Sequence, residues 1–506
     1  MDIARSLRPI LLRSKTTKTS CSATVAVSFF PRTSSSPSPL HSSFLHSARF
    51  SAMPSNEGPH VLQAVPRVLV IGGSYSGLAA TVNLIDLCNG KQPRFTSTPS
   101  DVVSSKSKLP VDITIVDERD GYYHLIGNPL AFASDDAASK SWTRFQDIPA
   151  LKLPNVNFLQ GSVASIDCEN KAVSIVDTVT KQYRQGKYDY LLVASGLRRT
   201  SPVVPQALNR DQFLAEAKSH TKAVRDAKEG VVVIGGGAVG IEMASEIKTI
   251  EPWQKVTLVH SRDKLLSAEP LPDDFKDRSL ETLRETGVEV ILGQRVTETT
   301  AVQSDGEPTS WNLTLSSGQH ITAGHVIAAI SRSTPTSSYL PPAALDKDGY
   351  VKIDASLRFN SDVPNASSHF AAGDIASWSG IKRCGGAMHM GHYCAINIHQ
   401  DMLKNRYGQI PTYKELSFFP NIMGLAVGKK AVVFDSTNGT ASGEDQMAAY
   451  FGNDLANSIC WNYMKLGQAV AFEKRAARKM HHGINMPFDR EGTTSSSCRR
   501  RVHFVA

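Results

Sequence analysis

Two short glycine-rich stretches, Gly72-Gly-Ser-Tyr-Ser-Gly77 and Gly235-Gly-Gly-Ala-Val-Gly240, hold the residues of this chain best placed to do chemistry. An uninterrupted aliphatic run leads into each, Val68-Leu-Val-Ile71 and Val231-Val-Val-Ile234. A helix-forming stretch leaves each, Leu78-Ala-Ala-Thr81 and Ile241-Glu-Met-Ala-Ser-Glu-Ile247. A buried strand that turns on glycine into a helix presents free backbone N–H groups and the positive end of a helix dipole, and that combination seats a pyrophosphate. Gly72 permits the tight turn and Gly77 lets helix and strand pack closely, and Gly73, Gly235, Gly237 and Gly240 are further candidates to seat a cofactor. The second stretch, with Ala238 and Val239 opening its helix, is a full G-x-G-x-x-G; the first carries Ser74 in the middle position. Two such seats in one chain point to two dinucleotides, and so to electron transfer between them rather than to a simple dehydrogenase.

The strands that come after each turn refine this reading. Val111-Asp-Ile-Thr-Ile-Val116 ends in Asp117, which can accept hydrogen bonds from a ribose, with Glu118 as the alternative if the register is off by one. Asp117 comes later than the usual interval of about 20 residues, and the polar, turn-rich stretch 88–110 accounts for the excess. The corresponding strand of the second unit, Lys255-Val-Thr-Leu-Val259, ends in His260-Ser-Arg262 with no carboxylate. Nothing there repels a 2′-phosphate and Arg262 can pair with one, so NADPH is expected to be accepted beside NADH. The alternative is that Arg262 and Lys264 only solvate the loop. Glu242 lies two residues into the second helix, either beside the cofactor seat or as an ordinary solvated glutamate.

These seats need a large α/β frame. The chain has 506 residues, 41% hydrophobic and 20% charged, enough for roughly three domains of an ordinary globular protein. No apolar run approaches the ~20 residues that span a bilayer. Of the net charge of +8, residues 1–52 hold +6 and Arg499, Arg500 and Arg501 hold +3, which leaves −1 for the body. That distribution gives no case for nucleic-acid binding. The seven cysteines are scattered, with no C-x-x-C or C-x-x-x-x-C pair, which suits unpaired thiols and argues against a dithiol relay. No metal-ligand set is expected.

Further motifs complete the pattern. Tyr188-Asp-Tyr-Leu-Leu-Val-Ala-Ser195-Gly196 is a strand ending in small residues, Gly324-His-Val-Ile-Ala-Ala-Ile-Ser331 is another, and His369-Phe-Ala-Ala-Gly373-Asp374 runs into a Gly-Asp turn. The order G-x-S-x-x-G, strand-Asp, A-S-G, G-x-G-x-x-G, A-I-S, A-G-D resembles the pyridine nucleotide-disulfide oxidoreductase superfamily over residues 66–400. The finer signatures, Asp117-Glu-Arg-Asp-Gly-Tyr-Tyr-His-Leu-Ile-Gly-Asn-Pro129 and Met423-Gly-Leu-Ala-Val-Gly-Lys-Lys-Ala431 among them, resemble its apoptosis-inducing-factor-like branch, with type II NADH dehydrogenases as cousins. The resemblance implies FAD in the first unit and NADH or NADPH as electron donor in the second. It implies that Asp374 binds the ribityl and pyrophosphate part of FAD, that Asn128 and Pro129 approach the flavin, and that Ala387 and Met388 open a helix facing its pyrimidine end. It also places Glu242 by the nicotinamide. His389 and His392 are candidates for tuning the flavin, or structural histidines. The C-x-x-x-x-C of the disulfide reductases is missing, and Cys384 stands near the flavin without an obvious partner.

The expected organisation is an extension over 1–60, an FAD domain in two parts (61–200 and 333–405), an inserted NAD(P) domain (201–332), a small α+β interface domain (406–488) and a basic tail (489–506). Thr412 to Gly428 reads as short strands, and Ile459, Tyr463, Leu466 and Val470 as one helical face leading to a basic run, 473–482, suited to peripheral membrane contact. The Arg-rich, acid-poor start resembles a mitochondrial transit peptide; translation from Met53 would leave a cytoplasmic form. The expected activity is hydride transfer from NAD(P)H to FAD and on to an acceptor, a quinone by preference. A protein electron carrier as acceptor, or a slow redox-signalling role, are the alternatives.

Overall fold

The computed structural model describes residues 64–95, 107–304, 307–330 and 332–469. Both glycine-rich turns lie in the compact unit Val65–Ala506.

Strand β1 (Arg67–Ile71) is buried from Val68 onward and turns at Gly72 into helix α1 (Tyr75–Cys88), which is buried almost throughout. β2 (Asp112–Asp117) lies parallel to β1 with Val116 opposite Ile71, and β3 (Tyr190–Val193) lies parallel on the other side. β1 and β3 carry no polar alternation because they are covered on both faces. The stretch 156–187 adds three strands: Val156–Asp167 pairs parallel with β2, then Ala172–Asp177 and Tyr183–Lys187 fold back antiparallel.

After β3 the chain turns at Gly196, where φ is +67°, and leaves through Leu197–Arg198. This segment pairs antiparallel with the returning Thr334–Pro335. Between them stands the second unit, with β4 (Val231–Ile234), α2 (Ala238–Ile250), β5 (Val256–Val259) and β6 (His325–Ala328). Its four-stranded sheet is parallel, in the order Glu289–Ile291, β5, β4, β6, and it too carries a three-stranded antiparallel flank at 296–323. The chain then completes the first sheet with β7 (His369–Ala371) beside β3. It continues into α3 (Cys384–Tyr407), which stops at Gly408 in the left-handed region. α3 crosses α1 so closely that a Cβ on Gly391 would lie 2.2 Å from the Ser76 carbonyl oxygen. The α/β fold with one dinucleotide-binding unit inserted in another is thus as expected from the motifs.

Three antiparallel strands, Met423–Val427, Lys430–Asp435 and Gly439–Gly443, and two short helices form the small C-terminal part. Leu425, Val427 and Val432 pack into one core with Ile241 and Met243 of α2 and with Phe275. Two local expectations need correction. No strand forms between Thr412 and Met423: Asn397 of α3 binds both the N–H and the C=O of Lys414, so a side chain serves those peptide groups in place of a ladder. The expected helical face also stops short, because Asn457–Tyr463 ends at Tyr463 and Leu466 packs beyond a turn. Val470, the basic run, the tail, residues 1–63 and the middle of the 88–110 stretch lie outside the described residues.

Candidate functional site

The first turn is held by the strand beside it. Gly72 N–H donates to the Val116 carbonyl (2.8 Å), and its φ of +102° places any Cβ 2.3 Å from the Ala194 oxygen. A Cβ on Gly77 would lie 1.8 Å from the Gly72 oxygen, so the helix can approach the turn only at glycine. The Asp117 carboxylate accepts from Gly73 N–H (2.7 Å) and Arg119 N–H (2.8 Å). Burial pushes the Asp117 pKa up, against the pull of Arg119 and these two N–H groups. Glu118 points elsewhere: burial opposes its charge, yet the Arg198 guanidinium at 2.7 Å and the Ser162 hydroxyl hold its pKa below the usual range. Asp117 is therefore the carboxylate at the turn, and Glu118 belongs to a surface ion pair.

The second turn repeats the plan with other atoms. Gly235 N–H donates to the Val259 carbonyl (2.9 Å), and a Cβ on Gly240 would lie 1.9 Å from the Gly235 oxygen. His260 comes after Val259 as Asp117 comes after Val116, and its Nδ1 accepts from Gly236 N–H at 3.1 Å. Its Nε2 faces the Ser267 hydroxyl at 3.3 Å. Burial lowers the His260 pKa and favours the neutral ring, offset by a hydrogen bond to the Lys264 backbone carbonyl and reinforced by the charge of Arg262. Arg262 is exposed and makes no ion pair among the described residues, whereas Lys264 is held by Asp273 (3.1 Å) and Asp277 (3.0 Å). Glu242 is not a solvated helix residue: its Oε1 accepts from Ala426 N–H at 3.2 Å, and burial pushes its pKa up to about 8. Ala238 and Val239 open α2 around it.

The remaining candidates lie just after β3 and β7, in α3, and after β2. Ser195 Oγ donates to the Thr336 carbonyl (3.0 Å) and meets the Tyr339 hydroxyl (2.8 Å), which fixes the crossover at Gly196. Gly373 has φ +79°, and the Asp374 carboxyl, its pKa raised by burial, feels the charges of Lys382 and Arg199. Ala387 and Met388 are buried near the start of α3. Asn128 is spent internally: its Oδ1 accepts from Tyr123 and its Nδ2 donates to the Pro202 carbonyl (2.8 Å), with Pro129 buried beside it. His392 stacks edge-on against Phe95 at 5.3 Å, and His389 lies 4.2 Å from the Tyr393 ring.

Sequence reasoning missed a cluster here. His124 is fully buried, its Nδ1 shared by the hydroxyls of Tyr75 (3.1 Å) and Tyr122 (3.2 Å) and its Nε2 bound to the Leu455 carbonyl (2.8 Å). Burial lowers its pKa to about 4, so the ring is neutral. Tyr75 stands inside the first glycine motif, which was the available signal. Cys384 is half-buried at the first residue of α3.

A dinucleotide fits both turns. Ser74, Gly237 and Arg383 precede α1, α2 and α3, and none of the three caps its helix through a side chain. The helices Asp135–Lys140 and Arg210–Asp226 are capped in the usual way, by Ser134 and Asn209. First-turn N–H groups left uncapped at three glycine-rich sites are suited to phosphate and other anionic groups. Gly196 and Gly237 face open space where a Cβ would stand, and the buried Ser76 Oγ has no partner among the described residues.

Comparisons with known proteins agree. The model of the pyridine nucleotide-disulphide oxidoreductase family matches residues 67–391. Oxidoreductase OXR1 of Ajellomyces capsulatus is 53% identical over 425 residues, 82% of this chain and 92% of that protein. Ferroptosis suppressor protein 1 of Xenopus tropicalis is 26% identical over 314 residues, 61% of this chain and 74% of that one. The solved structure of water-forming NADH oxidase from Lactobacillus brevis bound to NADH shares the fold, with a TM-score of 0.52 at 20% identity over 73% of this chain and 74% of its own. The chain belongs to the pyridine nucleotide-disulphide oxidoreductase family and is an oxidoreductase that uses FAD together with NADH or NADPH.

Proposed function

We propose that this chain passes reducing equivalents from NADH or NADPH, through FAD, to a small quinone. FAD supplies the chemistry of accepting a hydride and releasing its electrons onward. The chain's own residues bind and orient. The Gly72 turn and Asp117 take the adenosine and pyrophosphate of FAD, with Glu118 outside the site, while Gly373 and Asp374 take its middle. The Gly235 turn takes the nicotinamide coenzyme, with Arg262 available to a 2′-phosphate. Glu242, protonated over much of the neutral range, presents no full negative charge to a hydride donor. The first turn of α3 places a helix dipole where it favours an anionic reduced ring.

The observation that carries the acceptor is an aromatic lip at the head of α3. Phe418 is 78% exposed, and its neighbour Phe419 packs on Gly386 and Gly380. An apolar ring system can settle against such a lip at little cost in desolvation. The basic, acid-poor first 52 residues favour a mitochondrial form, and a start at Met53 a cytoplasmic one.

The test uses purified yellow protein. Anaerobic NADPH and NADH should bleach the flavin, and a soluble short-chain quinone should restore the colour and sustain turnover. Phe418→Ser should raise KM for the quinone and leave the bleaching rate unchanged. Bleaching without quinone turnover would move the acceptor to another class.

A further inference from the structure

Three parts of the first unit meet where α3 begins. A Cβ on Gly373 would stand 3.5 Å from the Ser76 Oγ of α1 and 3.5 Å from the Ala387 Cβ of α3. Ser76 is 5% exposed, and its hydroxyl has no partner among the described residues. Arg383 precedes α3, and its side chain folds along the first turn of that helix. A Cβ on Gly385 would lie 3.6 Å from its Nη1, and one on Gly386 would lie 3.7 Å from its Cγ. The Arg383 Nη2 is buried and meets no acceptor among the described residues.

Two other arginines show what a guanidinium requires when it leaves water. Arg94 and Arg358 are buried, and each meets a carboxylate at 2.9 Å, Asp86 and Asp401. A cation withdrawn from solvent is costly unless an anion faces it. Arg383 makes no ion pair among the described residues. The neighbouring Lys382 is already engaged, its Nζ donating to the Ala376 carbonyl and standing 5.3 Å over the Tyr350 ring. The uncapped first turn of α3 adds the positive end of its dipole at the same point. A guanidinium nitrogen without an acceptor, a helix N-terminus and an unpartnered buried hydroxyl together call for an anionic group on a ligand.

We propose that Arg383 is the electrostatic partner of the reduced flavin, its guanidinium set against the N1–C2=O edge of the ring. The inference rests on FAD lying against the head of α3 and is independent of the acceptor. The oxidised ring is neutral. A hydride added at N5 leaves it with one negative charge, shared by N1 and the C2 carbonyl. Arg383 meets that charge only after reduction, so it favours the reduced anion over the oxidised ring and raises the midpoint potential. It also disfavours protonation of N1. The FAD diphosphate carries the same charge before and after reduction, so a guanidinium paired with it would tighten binding and leave the potential alone.

Full-length, FAD-loaded protein is titrated with sulfite, whose lone pair bonds to flavin N5 and pushes the same negative charge onto N1 and C2=O. Wild type should form this adduct, seen as bleaching, and its photoreduced flavin should keep the spectrum of the anion on mild acidification. Arg383→Gln should weaken the adduct about tenfold or more and lower the midpoint potential by about 30 mV or more, the two-electron equivalent of that factor. Arg383→Lys should restore most of both, with flavin absorbance and Tm reporting that each variant is folded. The proposal is overturned if Arg383→Gln keeps both wild-type values, or if it only releases FAD sooner, the sign of a pairing with the diphosphate. Should that variant not fold, wild type still decides: failure to form the adduct, or protonation of its photoreduced flavin at neutral pH, overturns the proposal. Colourless wild type would instead remove the flavin placement itself, and this inference with it.

Discussion

Gly72 and Gly235 each donate an N–H to a residue of the neighbouring strand, Val116 and Val259, and each leads into an uncapped helix. The next side chain separates the two halves. In the first, the Asp117 carboxylate grips the Gly73 N–H; in the second, the neutral His260 ring accepts from Gly236. The helices differ likewise. In α1 the buried Thr81 and Asn83 are neutral and satisfied by the Gly77 and Ala79 carbonyls, at 2.8 and 2.7 Å. α2 carries Glu242 and the buried Glu246, each with its pKa pushed up to about 8, and the Glu246 Oε1 has no partner. One backbone plan thus serves a tightly gripped seat and a second seat that gives up local stability and fixed charge, as suits a coenzyme that must come and go.

The most damaging changes should strike the glycines that set this plan. Gly77→Ala forces a Cβ into the Gly72 carbonyl and should yield colourless or insoluble protein. Gly240→Ala makes the same clash beside Gly235 and should leave yellow protein whose flavin NADPH no longer bleaches. Each clash costs about 2–4 kcal/mol locally, read as flavin content in one case and as coenzyme Kd in the other. If both variants lose flavin, the two halves are not independent seats.

Coenzyme choice should respond next. His260→Asp puts a carboxylate where Asp117 stands in the other half and should raise the NADH/NADPH ratio of kcat/KM about tenfold or more. Arg262→Ala should weaken NADPH by about tenfold and leave NADH alone, the scale of one charge-assisted contact. An unchanged ratio in both variants would show that this corner does not meet the 2′ position.

Asp117→Leu strands the Gly73 N–H and should lower flavin affinity about tenfold or more, measured by dialysis against FAD. The smallest effect concerns pH. The folded protein holds protons on Glu242 and Glu246 up to about pH 8, where an unfolded carboxyl releases them near 4.5. The fold therefore binds more protons than the unfolded chain across that window, and stability falls as pH rises through it. Glu246→Gln should stabilise the protein by about 1–3 kcal/mol at pH 8 and by little at pH 5, seen as a Tm difference that shrinks on acidification.

The features legible in the sequence were those written locally. Strand, glycine turn and helix succeed one another within a dozen residues, so both seats and the positions of Asp117 and His260 could be read directly. Contacts made by the fold across long intervals could not. Asn128 was placed near the flavin by resemblance, and the hydrogen bonds of its amide with Tyr123 and Pro202 follow only from the fold. His124 belongs with Tyr75 only through a contact made across 49 residues. The stretch after Gly408 has strand-like composition, and Asn397 takes the peptide groups a ladder would have used.

The ribbon of Leu197–Arg198 against Thr334–Pro335 has a consequence for how such a molecule can be assembled. Exit and re-entry lie on the same rungs, so the outer sheet sees everything between them as it would a short hairpin. Joining those ends asks almost no loss of chain freedom from the host. A complete foreign unit with adjacent termini could be grafted at that point, and the host would still close its own sheet.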